Sequence, residues 1–402
     1  MITVDDALDY VQDCARPLLP QQVKLGDALG LRLQESIVSP IDSPPFDKAL
    51  LDGYAVIAKD PAPTRKVIEQ VVAGGVPHHA VVPGTSINVM TGAPIPDGAD
   101  AIIKHEDASY PDDATIEIPP SGVAAGTGIL NRGAAFHVGQ EVLGAGRQLS
   151  AIDIALLAEV GRAQVDVLPR PRVAVLPTGN ELVECGEPVG AGQICNSNGP
   201  MLLALLQANH ASPFDLGIGR DDVAQLRELI QRGLENDVLL VTGGVSAGVM
   251  DLVPGVLQEI GVRQVFHKVR MKPGKPVWFG IYEQGDQRTL VFGMPGNPVS
   301  TLVSFEIFVK PALRVLAGGE FVPPQSQRGI LTTSIAHRGK RPTYYPSQVH
   351  FGQRKQGLPT VETLPWRGSA DLAALTRANA LAILPAGDYQ RAAGTEVDVL
   401  TL

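Results

Sequence analysis

A short basic segment, HKVRMKPGKPVWFG at residues 267–280, has the clearest capacity for anion chemistry in this sequence. It contains Lys268, Arg270, Lys272 and Lys275 and no acidic residue, although the net charge of the chain at pH 7 is −9. Ammonium and guanidinium groups bind phosphate and other oxyanions through charge-assisted hydrogen bonds. The segment therefore predicts a local pocket for a small anion. The negative net charge argues against a general nucleic-acid binder, which needs a wide cationic surface.

Three glycine-rich turns follow apolar, strand-like runs further along the chain. They are Thr178-Gly179 after VAVLP, Gly243, Gly244 and Ser246 in TGGVSAG after DVLLV, and Gly296-Asn297 after TLVFGM. Glycine lets backbone N–H groups approach an anion closely, and ligands of open parallel sheets bind beyond the carboxyl ends of the strands. Tight turns also need glycine for structural reasons, so the prediction depends on three turns together with the basic segment.

Three carboxylates are candidates for metal or catalytic chemistry: Asp52 in LLDGYAV, Glu181 in TGNEL and Asp251 in GVMDLV. Each one alone is typical of a solvated turn or a helix cap. Beside phosphate-binding turns, however, carboxylates suit a hard cation such as Mg²⁺. The sequence contains neither GxxxxGK[ST] nor GxGxxG, which disfavours a kinase, a GTPase or a nicotinamide enzyme. Ser246 lacks a GxSxG elbow, and His267 is interpreted as a structural histidine.

The elements that must position these residues change in character along the chain. Capping boxes predict helices at 3–13 and from Ser150 to a stop at Gly161, and the Pro- and Gly-rich segment between them, about 41–145, is typical of β-structure. Beyond a rigid LPRPR at 168–172, buried strands alternate with helical patterns, which predicts a doubly wound, mostly parallel α/β sheet. After a break near 323–325, alternating runs without a long helix predict a small β domain.

Bulk composition is that of an ordinary globular protein. The chain is 44% hydrophobic and 19% charged. Its 402 residues are too many for one ordinary core, so two to four domains are expected. The three cysteines, Cys14, Cys185 and Cys195, form no CxxC pair and indicate neither a disulfide framework nor a zinc site. No signal-peptide segment or membrane-spanning run is evident, so we expect a cytoplasmic protein that binds no membrane.

Several long motifs together carry a resemblance to one family. In order, TGNELVECGEPVGAGQICNSN, TGGVSAG, FHKVRMKPGKPVWFG and FGMPGNPVS resemble the motifs of the molybdopterin molybdenumtransferases, the MoeA family, whose eukaryotic relatives include the gephyrin E domain. PPFDKALLDGYAV and VMTGAPIPDGADAIIKHED resemble its β-rich domain, and GSADLAALTRANALAILPAG resembles its C-terminal domain. The resemblance covers nearly the whole chain.

The resemblance implies four domains and a reaction. The domains are an elongated discontinuous domain at 1–40 and 141–170, a β-rich domain at 41–140, an α/β molybdopterin-binding domain at 171–320 and a C-terminal β domain at 321–402. The implied reaction inserts molybdenum from molybdate into adenylylated molybdopterin and releases AMP, with Mg²⁺ involved. The resemblance also implies a homodimer and contact with other proteins of molybdenum cofactor biosynthesis.

The resemblance further implies roles for individual residues. The residues implied to hold the pterin substrate are Thr178, Gly179, Gly243, Gly244, Ser246, Gly296 and Asn297. The residues implied to hold molybdate are Lys268, Lys272, Lys275, Pro276, Ser300, Arg341 and Ser369. Asp52, Glu181 and Asp251 match carboxylates associated with activity, and Glu181 and Asp251 are the expected metal ligands.

The sequence departs from the family pattern at several polar positions. Ala134 and Ala135 stand where the family usually has an acidic pair, and Val249 where an acid is common. Leu130 and Pro346 replace arginines. Two hypotheses follow: an active molybdenum insertase, or a catalytically weakened paralogue that binds molybdopterin or the finished cofactor as a carrier or regulator. A scaffold that binds a partner peptide is a third, but no sequence feature marks a peptide groove.

Overall fold

The computed structural model describes residues 1–245, 252–285, 287–355 and 357–402. These residues form two compact units. The larger unit comprises Met1–Gln22, Gly30–Arg32 and Asp166–Leu402, and the smaller unit comprises Val23–Leu29 and Leu33–Val165. The four domains expected from the sequence divide the chain more finely, and their boundaries stay a prediction.

The described residues form eight α-helices and 28 strands. The α-helices are α1 (Val4–Cys14), α2 (Ala151–Glu159), α3 (Asn198–Ala208), α4 (Val223–Gly233), α5 (Val253–Ile260), α6 (Pro298–Ser304), α7 (Lys310–Leu316) and α8 (Leu372–Leu375). A π-helical turn at Phe305–Val309 joins α6 to α7, and 3-10 turns occupy Leu25–Asp27 and His105–Asp107. The strands are β1 (Gln21–Lys24), β2 (Arg32–Leu33), β3 (Ile37–Val38), β4 (Lys48–Ala49), β5 (Gly53–Val56), β6 (Thr64–Val71), β7 (Thr85–Val89), β8 (Ala101–Lys104), β9 (Ser109–Asp112), β10 (Thr115–Glu117), β11 (Ile129–Leu130), β12 (Glu141–Leu143), β13 (Gln164–Leu168), β14 (Arg172–Pro177), β15 (Leu182–Val183), β16 (Ile194–Cys195), β17 (Ser212–Asp215), β18 (Val238–Thr242), β19 (Arg263–His267), β20 (Trp278–Gln284), β21 (Gln287–Met294), β22 (Ser326–Leu331), β23 (Ile335–His337), β24 (Thr343–Lys355), β25 (Leu358–Thr363), β26 (Ala380–Leu384), β27 (Tyr389–Arg391) and β28 (Glu396–Thr401).

The two helices predicted from capping boxes are confirmed. At α1 the Thr3 hydroxyl accepts a hydrogen bond from the Asp6 N–H, and the Asp6 carboxylate accepts one from the Thr3 N–H. Ser150 and Asp153 make the same reciprocal pair at α2. Each box satisfies N–H groups that a helix start leaves without an intrahelical partner. Within the described residues, no helix has the length and apolar character needed to cross a membrane.

The larger unit contains the predicted α/β sheet. Its strand order is β17-β14-β18-β21-β20-β19. Strands β17, β14, β18 and β21 run parallel, whereas β20 and β19 add antiparallel pairings at one edge. The antiparallel edge follows from the chain order, because β20 and β21 are consecutive and no helix separates them. The prediction of a mostly parallel sheet is therefore confirmed.

Helices cover both faces of this sheet. Along β14, Val173 and Val175 belong to one hydrophobic cluster, whereas Ala174 and Leu176 belong to another. The first cluster includes side chains of α3 and α6, and the second includes side chains of α4 and α5. This alternation shows why the strands read as continuous apolar runs: each strand is buried on both faces.

The alternating runs after residue 325 predicted a small β domain, and the structure forms one there as a closed barrel. Its strand order is β22-β25-β24-β26-β28, and its interior holds Val349, Val361, Ala382 and Val399. The short helix α8 lies between β25 and β26 in the chain. The smaller unit is mainly β, also as predicted, with a six-stranded sheet of order β8-β5-β7-β6-β10-β9.

Candidate functional site

The basic segment forms the loop between β19 and β20 and is attached to the start of β24. The Lys272 N–H donates to the Pro342 carbonyl at 2.9 Å, and the Tyr344 N–H donates to the Lys272 carbonyl at 2.8 Å. Both backbone groups of Lys272 are thereby satisfied, while its side chain is exposed. The loop backbone is thus fixed, and the ammonium group stays available for a ligand.

Two further contacts shape this loop. The Arg341 guanidinium donates to the Met271 carbonyl at 3.0 Å. This bond connects Arg341, another residue implied to hold molybdate, to the loop. Gly274 has a φ of +105°, and a Cβ there would lie 2.8 Å from the Met271 Cε. Only glycine adopts this conformation without strain, so the loop between Lys272 and Lys275 depends on it.

The opposite side of the site comes from two loops that are distant in sequence. The Asn297 side-chain amide donates to the Ser369 hydroxyl at 2.9 Å. The Val299 N–H donates to the Ser369 carbonyl at 3.0 Å. Asn198 also donates to the Gly296 carbonyl at 2.6 Å, which fixes the turn after β21 to the first turn of α3.

These segments surround a cavity of about 630 Å³. Its cationic lining residues are Lys272, Lys275, Arg338, Arg341 and Arg367, and no Asp or Glu side chain of the described residues lines it. Hydrogen-bonding groups are added by Asn297, Ser300, Thr343 and Ser369. A concave surface with charge of one sign concentrates ligands of the opposite sign. The cavity is therefore suited to an anionic ligand with more than one charge.

Many of the residues that the sequence predicted for one oxyanion are brought together here. Those that line the cavity are Lys272, Lys275, Pro276, Ser300, Arg341 and Ser369, and Asn297, which was predicted as a pterin contact, lines it as well. Lys268 is not among the described lining residues. It has a φ of +71°, its N–H donates to the Val277 carbonyl, and its carbonyl accepts from the Ile2 N–H. Its backbone thus stabilises the base of the loop.

The three glycine-rich turns meet at the carboxyl ends of their strands. The Thr178 N–H donates to the Thr242 carbonyl at 2.7 Å, and a Cβ at Gly243 would lie 2.4 Å from the Thr178 carbonyl oxygen. A Cβ at Gly296 would lie 3.6 Å from the Gly243 Cα. Gly296 stands between Pro295 and Asn297, which line the cavity, so the turns adjoin the cationic cavity. Thr178, Gly179, Gly243, Gly244 and Gly296 are not themselves described lining residues.

Glu181 lies beside the first of these turns. A Cβ at Gly179 would lie 2.3 Å from the Glu181 Oε2, so the carboxylate packs directly against the Gly179 backbone. The Glu181 carbonyl accepts a hydrogen bond from the Ile194 N–H at 2.8 Å, which pairs β15 with β16. The carboxylate is exposed at the strand ends, where an oxygen ligand for a cation is expected.

Three other predicted positions, Ser246, Val249 and Asp251, lie outside the described residues. Among the residues that the structure describes, no group of three or more His, Cys, Asp and Glu side chains is arranged to hold a metal ion. A magnesium ion does not need such a group, because it commonly binds one or two carboxylates together with substrate phosphates and water.

Asp52 lies in the smaller unit, where it is held by Thr91. Its Oδ1 accepts hydrogen bonds from the Thr91 N–H at 2.7 Å and from the Thr91 hydroxyl at 2.8 Å. These two bonds, with a smaller contribution from the charge of His105, hold the pKa of the Asp52 carboxyl below its usual value. Ala134 and Ala135 lie in the same unit, and the Ala135 N–H donates to the Ser43 carbonyl at 2.8 Å.

The sequence patterns missed several residues that line the cavity. They are Arg338, Arg367, His337, Tyr345 and Trp366. The Trp366 and Tyr345 rings meet edge to face, with centroids 5.4 Å apart, and burial raises the pKa of the Tyr345 hydroxyl. The available signal was the position of Trp366 and Arg367 just before Ser369, and of Arg338 just before Arg341.

Comparison with known proteins agrees with this fold. The family model described as the MoeA N-terminal region (domain I and II) matches residues 2–161, that of a probable molybdopterin binding domain matches 174–315, and that of the MoeA C-terminal region (domain IV) matches 328–402. The fold and site define a mixed α/β protein with a cavity lined by cationic residues and a C-terminal β-barrel. The chain belongs to the MoeA family, which confirms the resemblance seen in the sequence.

Curated relatives and solved structures match along the whole chain. The molybdopterin molybdenumtransferase of Synechococcus elongatus is 34% identical over 96% of this chain and 95% of the relative. The enzyme of that name from a Nostoc species is 32% identical over 100% of this chain and 94% of the relative. The crystal structure of the molybdopterin biosynthesis MoeA protein from Pyrococcus horikosii, at 30% identity, covers 100% of this chain and 99% of that chain with a TM-score of 0.80.

Proposed function

We propose that this protein is the molybdenum insertase of its cell: it takes molybdenum from molybdate into adenylylated molybdopterin and releases AMP. It is a transferase of molybdenum cofactor biosynthesis, as its full-length curated relatives are. The observation that carries the finer proposal is the cavity with five cationic lining residues and no described acidic one. Both proposed substrates are anions, so this lining matches their charge.

We assign molybdate to the wall formed by the basic loop and the two hydroxyl-bearing loops. Lys272, Lys275 and Arg341 supply positive charge, and the hydroxyls of Ser300 and Ser369 donate hydrogen bonds; Pro276 lines the same wall. Lysine acts as a compact point charge with rotatable donors, which suits a tetrahedral oxyanion that is released into a reaction. Lys268 adds to the positive potential from the base of the loop.

We assign the pterin substrate to the adjoining glycine-rich turns. Thr178, Gly179, Gly243, Gly244, Ser246, Gly296 and Asn297 are the proposed contacts. The support is that the described turns adjoin one another at the carboxyl ends of parallel strands, where backbone N–H groups bind phosphate. Asn297 is the proposed contact nearest to both substrates; the support is that it lines the cavity and lies at the end of the third turn.

Glu181 and Asp251 are the proposed ligands of Mg²⁺, and Asp52 is proposed to contribute to activity with them. The ion, when bound, would neutralise phosphate charge. Glu181 itself presents an exposed carboxylate at the first turn, which is the oxygen donor that such an ion needs. The proposal also includes a homodimer and contact with other proteins of cofactor biosynthesis, both of which depend on family membership.

AMP release tests this function. The purified protein, given adenylylated molybdopterin and Mg²⁺, is expected to release AMP in an amount that rises with added molybdate. The same protein without molybdate is the control. Pterin binding without any molybdate-dependent AMP would instead indicate the carrier or regulator, which the transferase names of the full-length relatives do not favour.

A further inference from the structure

Two of the five cations of the cavity, Arg338 and Arg367, have no role in the function proposed above. We propose that Arg338 and Arg367 form a second anion subsite, which takes a phosphate of the pterin substrate while Lys272 and Lys275 take the tetrahedral oxyanion. The assignment of the ligand rests on the proposed function. Adenylylated molybdopterin carries two linked phosphates, so it supplies a phosphate for this subsite in addition to the molybdate.

The backbone on both sides of Arg338 is fixed. Both nitrogens of the buried His337 ring have partners: Nδ1 donates to the Gly387 carbonyl at 2.7 Å, and Nε2 is hydrogen-bonded to the Thr343 hydroxyl at 2.9 Å. The Gly339 N–H donates to the Asp388 carboxylate at 2.8 Å. The guanidinium of Arg338 is therefore carried by an ordered turn, although the residue itself is exposed.

Arg367 is anchored in a similar way. Its N–H donates to the Asp371 carboxylate at 3.0 Å, and this bond is the main reason that the pKa of Asp371 lies below its usual value. The neighbouring Trp366 indole donates to the Gly368 carbonyl and packs edge-on against Tyr345. The Asp371 carboxylate thus accepts a hydrogen bond from the backbone of Arg367, while the side chain of Arg367 lines the cavity.

The two anchors meet on one strand. His337 bonds to Thr343 and Trp366 packs on Tyr345, and Thr343 and Tyr345 are alternate residues of β24. Alternate residues of a strand project to the same face, about 7 Å apart. The neighbours Arg338 and Arg367 therefore reach the cavity from adjacent points. Because both arginines line one cavity, their guanidinium groups can bind a phosphate by bidentate hydrogen bonds, which a lysine cannot make.

Charge and size both favour a second anion. Within the described residues, none of the cavity cations Lys272, Lys275, Arg338, Arg341 and Arg367 forms an ion pair with a carboxylate. Five like charges around one space repel each other, and a dianion balances only part of that charge. The volume of about 630 Å³ lies in the range of sites for drug-sized ligands, well above the needs of one tetrahedral oxyanion.

Calorimetric titration of the full chain tests this subsite, with molybdate and inorganic pyrophosphate as the two probes, at an ionic strength of about 0.15 M so that long-range charge effects are screened. The variant is Arg338→Ala combined with Arg367→Ala. The matched control is Lys340→Ala, since Lys340 has the same charge, lies in the same turn as Arg338, is exposed and is not among the described lining residues. Thermal melting of each variant checks that it folds.

The expected result is that pyrophosphate still binds when the protein is saturated with molybdate. The double variant is expected to lose roughly tenfold or more in pyrophosphate affinity, because each charged hydrogen bond contributes appreciably to binding, while its molybdate affinity changes by less than about twofold. Lys340→Ala is expected to leave both affinities unchanged. Displacement of molybdate by pyrophosphate, equal weakening of both probes, or no weakening in the double variant would each overturn the subsite.

The outcome separates this inference from the proposed function. The expected binding pattern without molybdate-dependent AMP release leaves the subsite standing and removes the insertase. Normal AMP release by both the unmodified protein and the double variant, with unchanged pyrophosphate affinity, leaves the insertase standing and removes the subsite.

Discussion

The Asn297 amide donates a hydrogen bond to the Ser369 hydroxyl at 2.9 Å, across 72 positions of the sequence. A second bond, from the Val299 N–H to the Ser369 carbonyl, joins the same two loops. One loop ends the third glycine-rich turn, and the other carries Arg367 and Ser369. Because both loops line the cavity, this pair of bonds fixes the distance between a wall from the α/β sheet and a wall from the barrel region.

Removing the Ser369 hydroxyl is expected to lower molybdate-dependent AMP release clearly and to lower the stability of the fold only slightly. Ser369→Ala removes the acceptor for Asn297 and a donor toward the oxyanion, so we expect a loss of about 0.5–1.5 kcal/mol in the free energy of unfolding and a several-fold fall in molybdate-dependent AMP release. Thr376→Ala is the control, since it also removes a hydroxyl that makes one hydrogen bond, here by donating to the Ala373 carbonyl, outside the cavity lining. Equal loss of activity in both variants would show that Ser369 acts only through stability.

Replacing Lys275 by alanine is expected to weaken the use of molybdate. Loss of a charged donor costs about 1.5–3 kcal/mol, which corresponds to a roughly 10- to 150-fold rise in the molybdate concentration for half-maximal AMP release. Lys275 is exposed at the cavity and has no ion pair within the described residues, so the fold should be unaffected. Lys340→Ala is the charge-matched control, and a similar rise in that variant would contradict a local role for Lys275.

Gly274→Ala is expected to disturb the basic loop. The residue would have to adopt a φ of +105°, which costs about 1–3 kcal/mol for an L-residue, and its Cβ would push on the Met271 side chain. We expect a lower melting temperature and weaker molybdate binding. Gly255→Ala is the control, because Gly255 lies within α5 and a Cβ there would meet nothing within 4 Å. That change should raise stability by about 0.5–1 kcal/mol.

Asp237 gives a prediction about pH. Burial raises the pKa of this carboxyl, although the Arg172 N–H donates to it at 2.7 Å. When a carboxyl has a higher pKa in the folded state than in the unfolded state, the folded protein is destabilised as the pH rises from the unfolded pKa, near 4, through the folded pKa. Asp237→Asn is therefore expected to raise the melting temperature at pH 7, and the gain should shrink as the pH falls toward 4. A gain that does not depend on pH would contradict ionisation as its cause.

Asp153 is the control of opposite sign. Burial raises the pKa of its carboxyl, but the hydrogen bonds from Ser150 and Arg147 outweigh burial and hold the pKa below its usual value. Its stabilising effect is present above the unfolded pKa and is lost as the pH falls through the folded one. Asp153→Asn should therefore lower the melting temperature at pH 7, with a difference that disappears in acid.

The sequence predicted those parts of the fold that depend on local patterns. Thr3 with Asp6 and Ser150 with Asp153 are spaced so that each capping box is readable from the sequence. Strands β14 and β18 read as buried because every second side chain faces a different hydrophobic cluster and both faces are covered. The antiparallel edge at β19 and β20 was less evident, since pairing direction depends on the path of the chain between strands.

The site was predicted where its residues sit in long motifs and missed where they do not. Lys272 and Lys275 stand out because four basic residues cluster in an acidic chain. Arg338 and Arg367 look like ordinary surface arginines in the sequence. Their common position follows from the contacts of His337 with Thr343 and of Trp366 with Tyr345, which form only when the barrel closes. Long-range packing of this kind has no local signature.

The most direct test of the central claim is the anomalous diffraction of molybdenum in a crystal of this protein grown with molybdate. The cationic cavity predicts a molybdenum peak with its oxygens about 3 Å from the Lys275 ammonium group and the Ser369 hydroxyl. A peak at some other surface, with the space between these two residues left empty, would contradict the assignment of the cavity to the oxyanion.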